Sequence, residues 1–412
     1  MSSNKINIGV EPIFCNQLER EFAMHSHIHT VQDLLVENTP LPDSNSDAIA
    51  QNLQNLINLE LKPRVKDIDE KGEYPKAFLQ NLGAIGGFGQ SVPKQYGGAG
   101  HQGLKFPVQM IEAISQECLN TGFITWCQFA CTWYLQNSDN EYLLRNVLPK
   151  VASAQIIAGT GLSNPMKHFA GIEKIALVAQ RKKGGYILNG TLPWVSNIGS
   201  EHYFAIAAQI INSNDYLMAI VTDSFPGLTL RCNSHFIALE GSNTYACIFK
   251  DVFVPNTFVL AAPCEEYVEQ IRAGFVLTQV GMGLGLVSSC IELMQEANKR
   301  LAHVNCFLDD CVENLENELE SLRLHTYILA TEIQSPESIR NDFFKKVVQA
   351  RATASELALR AAQSAMLHLG AKAYLEGSTV SRKLREAYFV AMVTPALKHL
   401  RKVLSQMKDT AV

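Results

Sequence analysis

Ten cysteines occur in this 412-residue chain, but none are spaced Cys-x-x-Cys. That absence removes the usual zinc-ribbon and dithiol frameworks. Cys127 and Cys131 lie among Phe123, Trp126, Phe129 and Trp133 and read as small apolar core residues. With no disulfide framework in view, the expected compartment is a reducing cytoplasm. A basic excess is also missing: 35 Lys and Arg stand against 40 Asp and Glu, a net charge of −5. Nothing in that balance invites nucleic acid. Charge is sparse at 18%, and hydrophobic residues make up 47%, which suits a soluble globular chain. The polar start, Met1 to Lys5, is not followed by the apolar stretch of a secretory signal. A long uncharged run, Ala273 to Ile291, approaches bilayer length. Thr278, Gln279, Ser288, Ser289 and several glycines interrupt it, and Glu292 ends it. It reads as a buried bundle helix, without membrane insertion. No repeat is visible. His25, His27 and His29 alternate without Cys, Asp or Glu company, so no metal site is expected.

What is present is a change of period along the chain. Residues 1–45 form a polar N-terminal extension, with a short helix expected over 17–36 and a linker at Pro40, Pro42, Asp43 and Ser44. Residues 46–153 have helical spacing, as in Phe106, Met110, Ile111 and Ile114. Residues 154–260 carry short β-rich runs, including Tyr203 to Ile211, Tyr216 to Val221 and Tyr245 to Val254. Turn signals separate them at Lys183-Gly184-Gly185, Asn189-Gly190 and Pro226-Gly227. A small antiparallel barrel or sandwich is expected there. Residues 261–412 return to helix: 265–298, 310–332, 342–369 and 378–406, the last broken at Pro395.

Two stretches carry chemistry. Gly161-Leu162-Ser163-Asn164-Pro165 is answered thirty residues later by Trp194-Val195-Ser196-Asn197. Each places a hydroxyl beside a sharp turn, and the second adds a flat ring. Such groups suit a buried tricyclic cofactor, with donors for its edge and an apolar wall for its face. Gly281-x-Gly283-x-Gly285 mimics a dinucleotide loop, but no strand precedes it. It reads as close helix packing.

Six ordered segments resemble the acyl-CoA dehydrogenase superfamily. They are Tyr74-Pro75 through Pro93-x-x-Tyr96-Gly97-Gly98-x-Gly100, Leu148-Pro149 with Gly159 to Pro165, and Asn189 to Asn197. Gly241-Ser242-x-Thr244 with Phe249 to Pro255, Arg272 nine residues before Gly281, and Gly370 with Arg382-x-x-Arg385-Glu386-Ala387 complete the set. The resemblance implies an α+β chain: an N-terminal α-helical bundle, a middle antiparallel β-barrel or sandwich, and a C-terminal four-helix bundle. It implies FAD, with FMN as the alternative, in a homodimer or homotetramer. Carried over by position, Leu162, Ser163, Trp194, Ser196 and Gly370 fall on the cofactor, and Trp126, Gln128, His168 and Arg272 on the substrate.

The pattern breaks at the base. The family's reaction is α,β-desaturation of an acyl thioester, and its glutamate base stands at one of two places. Those positions here are Thr394 and Ile271. A threonine hydroxyl does not accept a proton at neutral pH without a base of its own. Glu266, Glu269 and Glu386 are nearby in sequence but read as helix charges or ion pairs. The dinucleotide half of the pattern is eroded too: Leu367 and Ala371 replace its glutamine and second glycine, and Arg300 is out of register. Three readings follow: a flavin-dependent desaturase of an acyl thioester carried by CoA or a carrier protein; a reduced-flavin monooxygenase acting on a small aromatic substrate; or a silent flavin-binding or scaffold homologue. An electron acceptor or a flavin reductase is the expected redox partner.

Overall fold

The structure is a computed structural model that describes residues 44–232, 234–335 and 340–409. The helix and linker expected in the N-terminal extension, and His25, His27 and His29, lie outside the described residues. The main structural unit begins at Ile49.

Among the described residues seven α-helices come first: α1 (Ser44–Leu56), α2 (Val65–Lys71), α3 (Lys76–Ala84), α4 (Lys105–Glu117), α5 (Leu119–Gln136), α6 (Glu141–Asn146) and α7 (Leu148–Ala152). In α5 every residue from Leu119 to Leu135 is buried. A helix that is apolar all round must be enclosed on every side, and α5 is the central pillar of this layer.

Eight strands follow: β1 (Ala158–Thr160), β2 (Leu177–Lys182), β3 (Gly185–Val195), β4 (Tyr203–Ile210), β5 (Tyr216–Thr222), β6 (Leu228–Arg231), β7 (Tyr245–Pro255) and β8 (Val259–Ala261). Between β1 and β2 lies α8 (Ser163–Phe169). The sheet runs β6-β7-β3-β2-β4-β5-β8, with β1 beside β4. It is mixed, not antiparallel as expected, because β4 runs parallel to both β1 and β2. The chain turns tightly from β2 into β3, then crosses to the far side of β2 before starting β4. Side-chain alternation reports a strand, not the direction of its partner. Asn189-Gly190 is likewise no turn. It sits inside β3 at a break in register with β7, where a Cβ on Gly190 would lie 2.3 Å from the Ala176 carbonyl oxygen.

Alternation on β4 and β5 feeds two cores. Ala205, Ala207, Met218 and Ile220 join the helical core. Phe204, Ile206, Leu217, Ala219 and Val221 fill the sheet's own core.

The C-terminal helices are α9 (Glu265–Thr278), α10 (Val280–Asn305), α11 (Val312–Glu332), α12 (Asn341–Leu369), α13 (Thr379–Met392) and α14 (Leu397–Asp409). The apolar window in Glu265–Asn305 has mean hydropathy 1.6 and is 94% buried within the fold. The glycine triple explains how. A Cβ on Gly281 would come within 2.7 Å of the Val108 carbonyl oxygen, and one on Gly285 within 2.1 Å of that of Glu112. Gly283 meets Ala354 at 2.9 Å. Gly281 and Gly285 therefore let α4 approach α10, while Gly283 admits α12.

Candidate functional site

A cavity of about 790 Å³ lies between the sheet, α5 and the C-terminal helices. Its size falls within the range of pre-formed cofactor pockets. The sheet supplies a wall of Trp194, Thr160, Ser196, Ser242 and Thr244. Ser196 Oγ and Thr244 Oγ1 share a hydrogen bond of 2.7 Å, and Thr244 and Ser242 share one of 2.8 Å. Thr160 faces Ser196 across an antiparallel bridge and bonds the Tyr134 hydroxyl at 3.0 Å. Trp194, by contrast, is 55% exposed. A large ring left open on the edge of an apolar cavity offers a face to another flat ring.

Helices α5, α9 and α13 supply an aromatic wall. Phe123 stacks on Trp126 at 5.8 Å, Phe389 meets Phe123 edge-on at 4.6 Å, and Phe275 meets Trp126 at 5.2 Å. The Trp126 indole N–H donates to Thr278 Oγ1 at 3.1 Å. Its polar handle is thus satisfied, and its ring offers the cavity an apolar surface.

The turn between α13 and α14 completes the enclosure. The Thr394 and Ser163 hydroxyls share a hydrogen bond of 2.8 Å. Gln279 Nε2 donates to the Thr394 carbonyl at 3.0 Å, and Arg351 Nε donates to Gln279 Oε1 at 3.1 Å. Arg351 also donates to Ser355 Oγ and to the Val390 carbonyl, each at 2.5 Å. None of these partners is a carboxylate. Complete burial pushes the guanidinium down to about 10, which leaves it charged at neutral pH. A buried cation therefore holds this turn from behind.

Of the residues singled out in the sequence, Ser163, Trp194, Ser196, Trp126 and Thr394 all line the cavity. Others do not reach it. Gln128 donates to the Val151 and Ile156 carbonyls and accepts from the Ala158 N–H, so its amide is consumed in the core. His168 is held by the Tyr216 hydroxyl at 2.8 Å and the Glu173 carbonyl at 3.2 Å. Arg272 donates to Asn341 and lies 4.3 Å over the Phe344 ring. Leu162 is buried in the core just before α8. Gly370 ends α12 away from the lining residues. Ile271 is buried, and its carbonyl accepts from Trp133.

None of the three neighbouring glutamates supplies a base. Glu266 and Glu269 are exposed on α9. Glu386 is buried against Arg382 at 2.8 Å and Lys383 at 3.2 Å. Arg385 clamps Asp69 and the Ile237 carbonyl, tying α2 and the loop before β7 to α13.

Sequence reasoning missed Thr160 and Thr244 as wall residues, although both stand inside the segments that carry the family resemblance. It also missed Lys167, Glu173, Lys398, His399 and Lys402. Among the described residues Glu173 is the one carboxylate residue on the lining. It accepts from Asn164 at 2.7 Å and Lys167 at 3.0 Å. Partial burial pushes its carboxyl up, but those bonds and the Lys167 charge outweigh this and hold it below the ordinary range.

The cavity fits the tricyclic half of a flavin: hydroxyls for its edge, Trp194 and apolar walls for its faces. Arg300, Leu367 and Ala371, which mark the eroded half of the pattern, are absent from the lining.

A family model described as the acyl-CoA dehydrogenase N-terminal domain matches residues 43–155. Human mitochondrial short-chain specific acyl-CoA dehydrogenase is 24% identical over 87% of this chain and 88% of its own length. The structure of butyryl-CoA dehydrogenase from Megasphaera elsdenii superposes with TM-score 0.79 at 18% identity, over 90% of this chain and all of that one. KijD3, solved with FMN and an amino-keto sugar nucleotide, superposes with TM-score 0.74 at 18% identity, over 91% and 96% of the two chains. With this order of layers and this cavity, these matches give the chain the acyl-CoA dehydrogenase fold and support its membership of that superfamily of flavoprotein oxidoreductases.

Proposed function

We propose that the chain is a flavin-dependent oxidoreductase whose reaction does not pass through a carboxylate that removes an α proton. Trp194 would hold a face of the flavin ring, and Ser163 and Ser196 would hold its polar edge. The state of the cavity's carboxylate and of the residue at the family's base position carries this reading. Thr394 spends its hydroxyl on Ser163, and Glu173 is committed to Asn164 and Lys167. Removal of a weakly acidic α proton by a carboxylate needs one that is free and positioned. Bound flavin supplies either a hydride acceptor or, once reduced, a site for oxygen activation. The residues of this chain do the rest: Phe123, Trp126, Phe275 and Phe389 exclude water and hold an apolar substrate. Reduced-flavin monooxygenation of a small aromatic substrate fits this arrangement best.

Desaturation of an acyl thioester is the second reading. It is favoured by relatives such as the human short-chain dehydrogenase, which matches 87% of this chain. Either FAD or FMN suits the cavity. Phe307, Tyr374 and Leu375 are 85%, 90% and 64% exposed, which supports a homodimer or homotetramer. Nine free cysteines among the described residues support a cytoplasmic setting.

The test is a pair of reactions on flavin-reconstituted protein. Reduced protein is given isotopically heavy oxygen and a panel of small aromatics; oxidised protein is given acyl-CoA thioesters without oxygen. Product carrying heavy oxygen supports the first reading, and an enoyl thioester supports the second. Failure to retain either flavin leaves the silent homologue.

A further inference from the structure

A second cavity, of about 480 Å³, lies among the helices, and its size also falls within the range of small-ligand pockets. The residues at and after the end of α1, the end of α4, the middle of α10 and the start of α13 enclose it. It shares no lining residue with the cavity against the sheet. Beyond α1 the chain widens into a π turn, Ile57–Leu61, in which the Lys62 N–H bonds the Ile57 carbonyl. Such turns are rare and are frequent at functional sites. This one sets buried Ile57 and charged Lys62 on the same lining.

The lining carries both signs of charge. Arg382 is only 8% exposed. Its Nη1 donates to Glu386 Oε1 at 2.8 Å and to the Glu117 carbonyl at 3.2 Å, which fixes the guanidinium. Its Nε and Nη2 donors have no partner among the described residues. Ser289 is 7% exposed, and its hydroxyl, on the lining, likewise has no partner there. A buried polar atom left unmade is costly, and a ligand atom that bonds it removes that cost. Glu292 is engaged by Gln116 at 2.7 Å. The Glu117 carboxylate is half-buried and pairs with no described charge, and neither does the exposed Lys62 ammonium. A purely anionic ligand would meet Glu117 and Glu292, and a purely cationic one would meet Lys62 and Arg382. A ligand carrying both charges answers both sets. Ile57 and Leu293 add an apolar patch.

We propose that this second cavity binds a free α-amino acid. Arg382, Lys62 and the Ser289 hydroxyl take its carboxylate, Glu117 takes its ammonium, and an apolar side chain lies against Ile57 and Leu293. Charge-assisted bonds to both ends give the specificity. The inference stands apart from the flavin reading, since no residue of the first cavity takes part.

The experiment is calorimetric titration of the full chain with each of the common α-amino acids. The best binder is then compared with two probes of the same side chain, the amine that lacks the carboxylate and the acid that lacks the amino group. Each probe should bind about tenfold or more weaker than the amino acid. Two surface variants assign the ends. Lys62→Met should shrink the advantage over the amine by about threefold or more and leave affinity for the amine unchanged. Glu117→Gln should do the same for the advantage over the acid. Both variants should keep wild-type flavin affinity and urea midpoint. An acid or an amine that binds as tightly as the amino acid overturns the proposal. So does amino-acid binding that neither variant alters, because the ligand then sits elsewhere. No binding of any amino acid up to about 10 mM overturns it as well. Loss of flavin binding in the unaltered chain would count only against the flavin reading.

Discussion

The two walls of the cavity are built on opposite principles. The sheet wall is neutral. Its hydroxyls, Ser196, Thr244 and Ser242, bond one another in a chain, and strand pairing fixes their positions. The wall made by the turn between α13 and α14 is electrostatic. Arg351 stands behind it, and lysines stand along it. The first wall loses little if an end member, Ser196 or Ser242, is removed, because the other two keep their bond. The second depends on one buried cation that no carboxylate offsets. Chemistry that tolerates variation should reside on the first, and substitutions on the second should have larger consequences.

Arg351→Met tests that contrast most severely. Methionine fills much of the same volume but abandons the acceptors on Gln279, Ser355 and Val390. Leaving buried acceptors unmade costs about 1–3 kcal/mol each, and relief from burying a charge returns part of this. A net loss of about 3 kcal/mol is expected in urea unfolding. Flavin affinity should fall as well, because Gln279 no longer fixes the Thr394 carbonyl. Unchanged stability would mean that the cation is a burden on this wall, not its anchor.

His399 gives the same wall a pH signature. Burial, reinforced by Lys402 and Lys167, pushes its imidazole from 6.5 down to about 4. The unfolded chain therefore takes up the proton first as pH falls. The stabilisation is complete above about 6.5 and is lost progressively toward 4. Over that window the linkage amounts to at most about 3 kcal/mol. His399→Phe, without ligand, should show a flatter stability profile between those limits. His202 and His325 are also pushed down, chiefly by burial, but they are common to both proteins and cancel in the difference.

The contrast also explains what could be read from the chain. The order of helices, strands and helices was legible because the hydrophobic period changes. Ser163, Trp194 and Ser196 were legible because they flank turns in short, dense motifs. The glycine triple in α10 was legible as packing because no strand precedes it. The parallel pairing of β4 with β2 was not, since it depends on a crossover that leaves no periodic trace. Gln128 and His168 looked available because sequence does not show whether backbone carbonyls already occupy a side chain. Lys398, His399 and Lys402 have the spacing of a solvated helix face. Only the packing of α14 beside α8 brings them onto the cavity.

A smaller effect is expected at the rim. Trp194 is half exposed and its ring contacts the cavity from outside the core. Trp194→Ala should weaken flavin binding by about tenfold to thirtyfold, near 1.5–2 kcal/mol, with little change in folding. Trp133 is a control of the opposite kind. It is buried, donates to the Ile271 carbonyl, and its ring would lie within 2.5 Å of a Cβ on Gly274. Trp133→Ala should cost stability more than flavin affinity. Equal losses of flavin from both variants would remove the special place given to Trp194.

Ser196→Ala should be the mildest change of all, and it is the sharpest test of the neutral wall. Loss of this hydroxyl removes its 2.7 Å bond to Thr244, but Thr244 keeps its 2.8 Å bond to Ser242. No charge is stranded, and a half-buried hydroxyl is replaced by a methyl. Folding stability should fall by only about 0.5–1 kcal/mol. Flavin affinity should drop by about threefold if Ser196 also reaches the ring edge, and Ser196→Thr should restore it by returning a hydroxyl to the same place. A loss as large as that expected for Arg351→Met would reverse the comparison. The hydroxyl chain would then be the wall that fixes the ligand, and the buried cation would be only its scaffold.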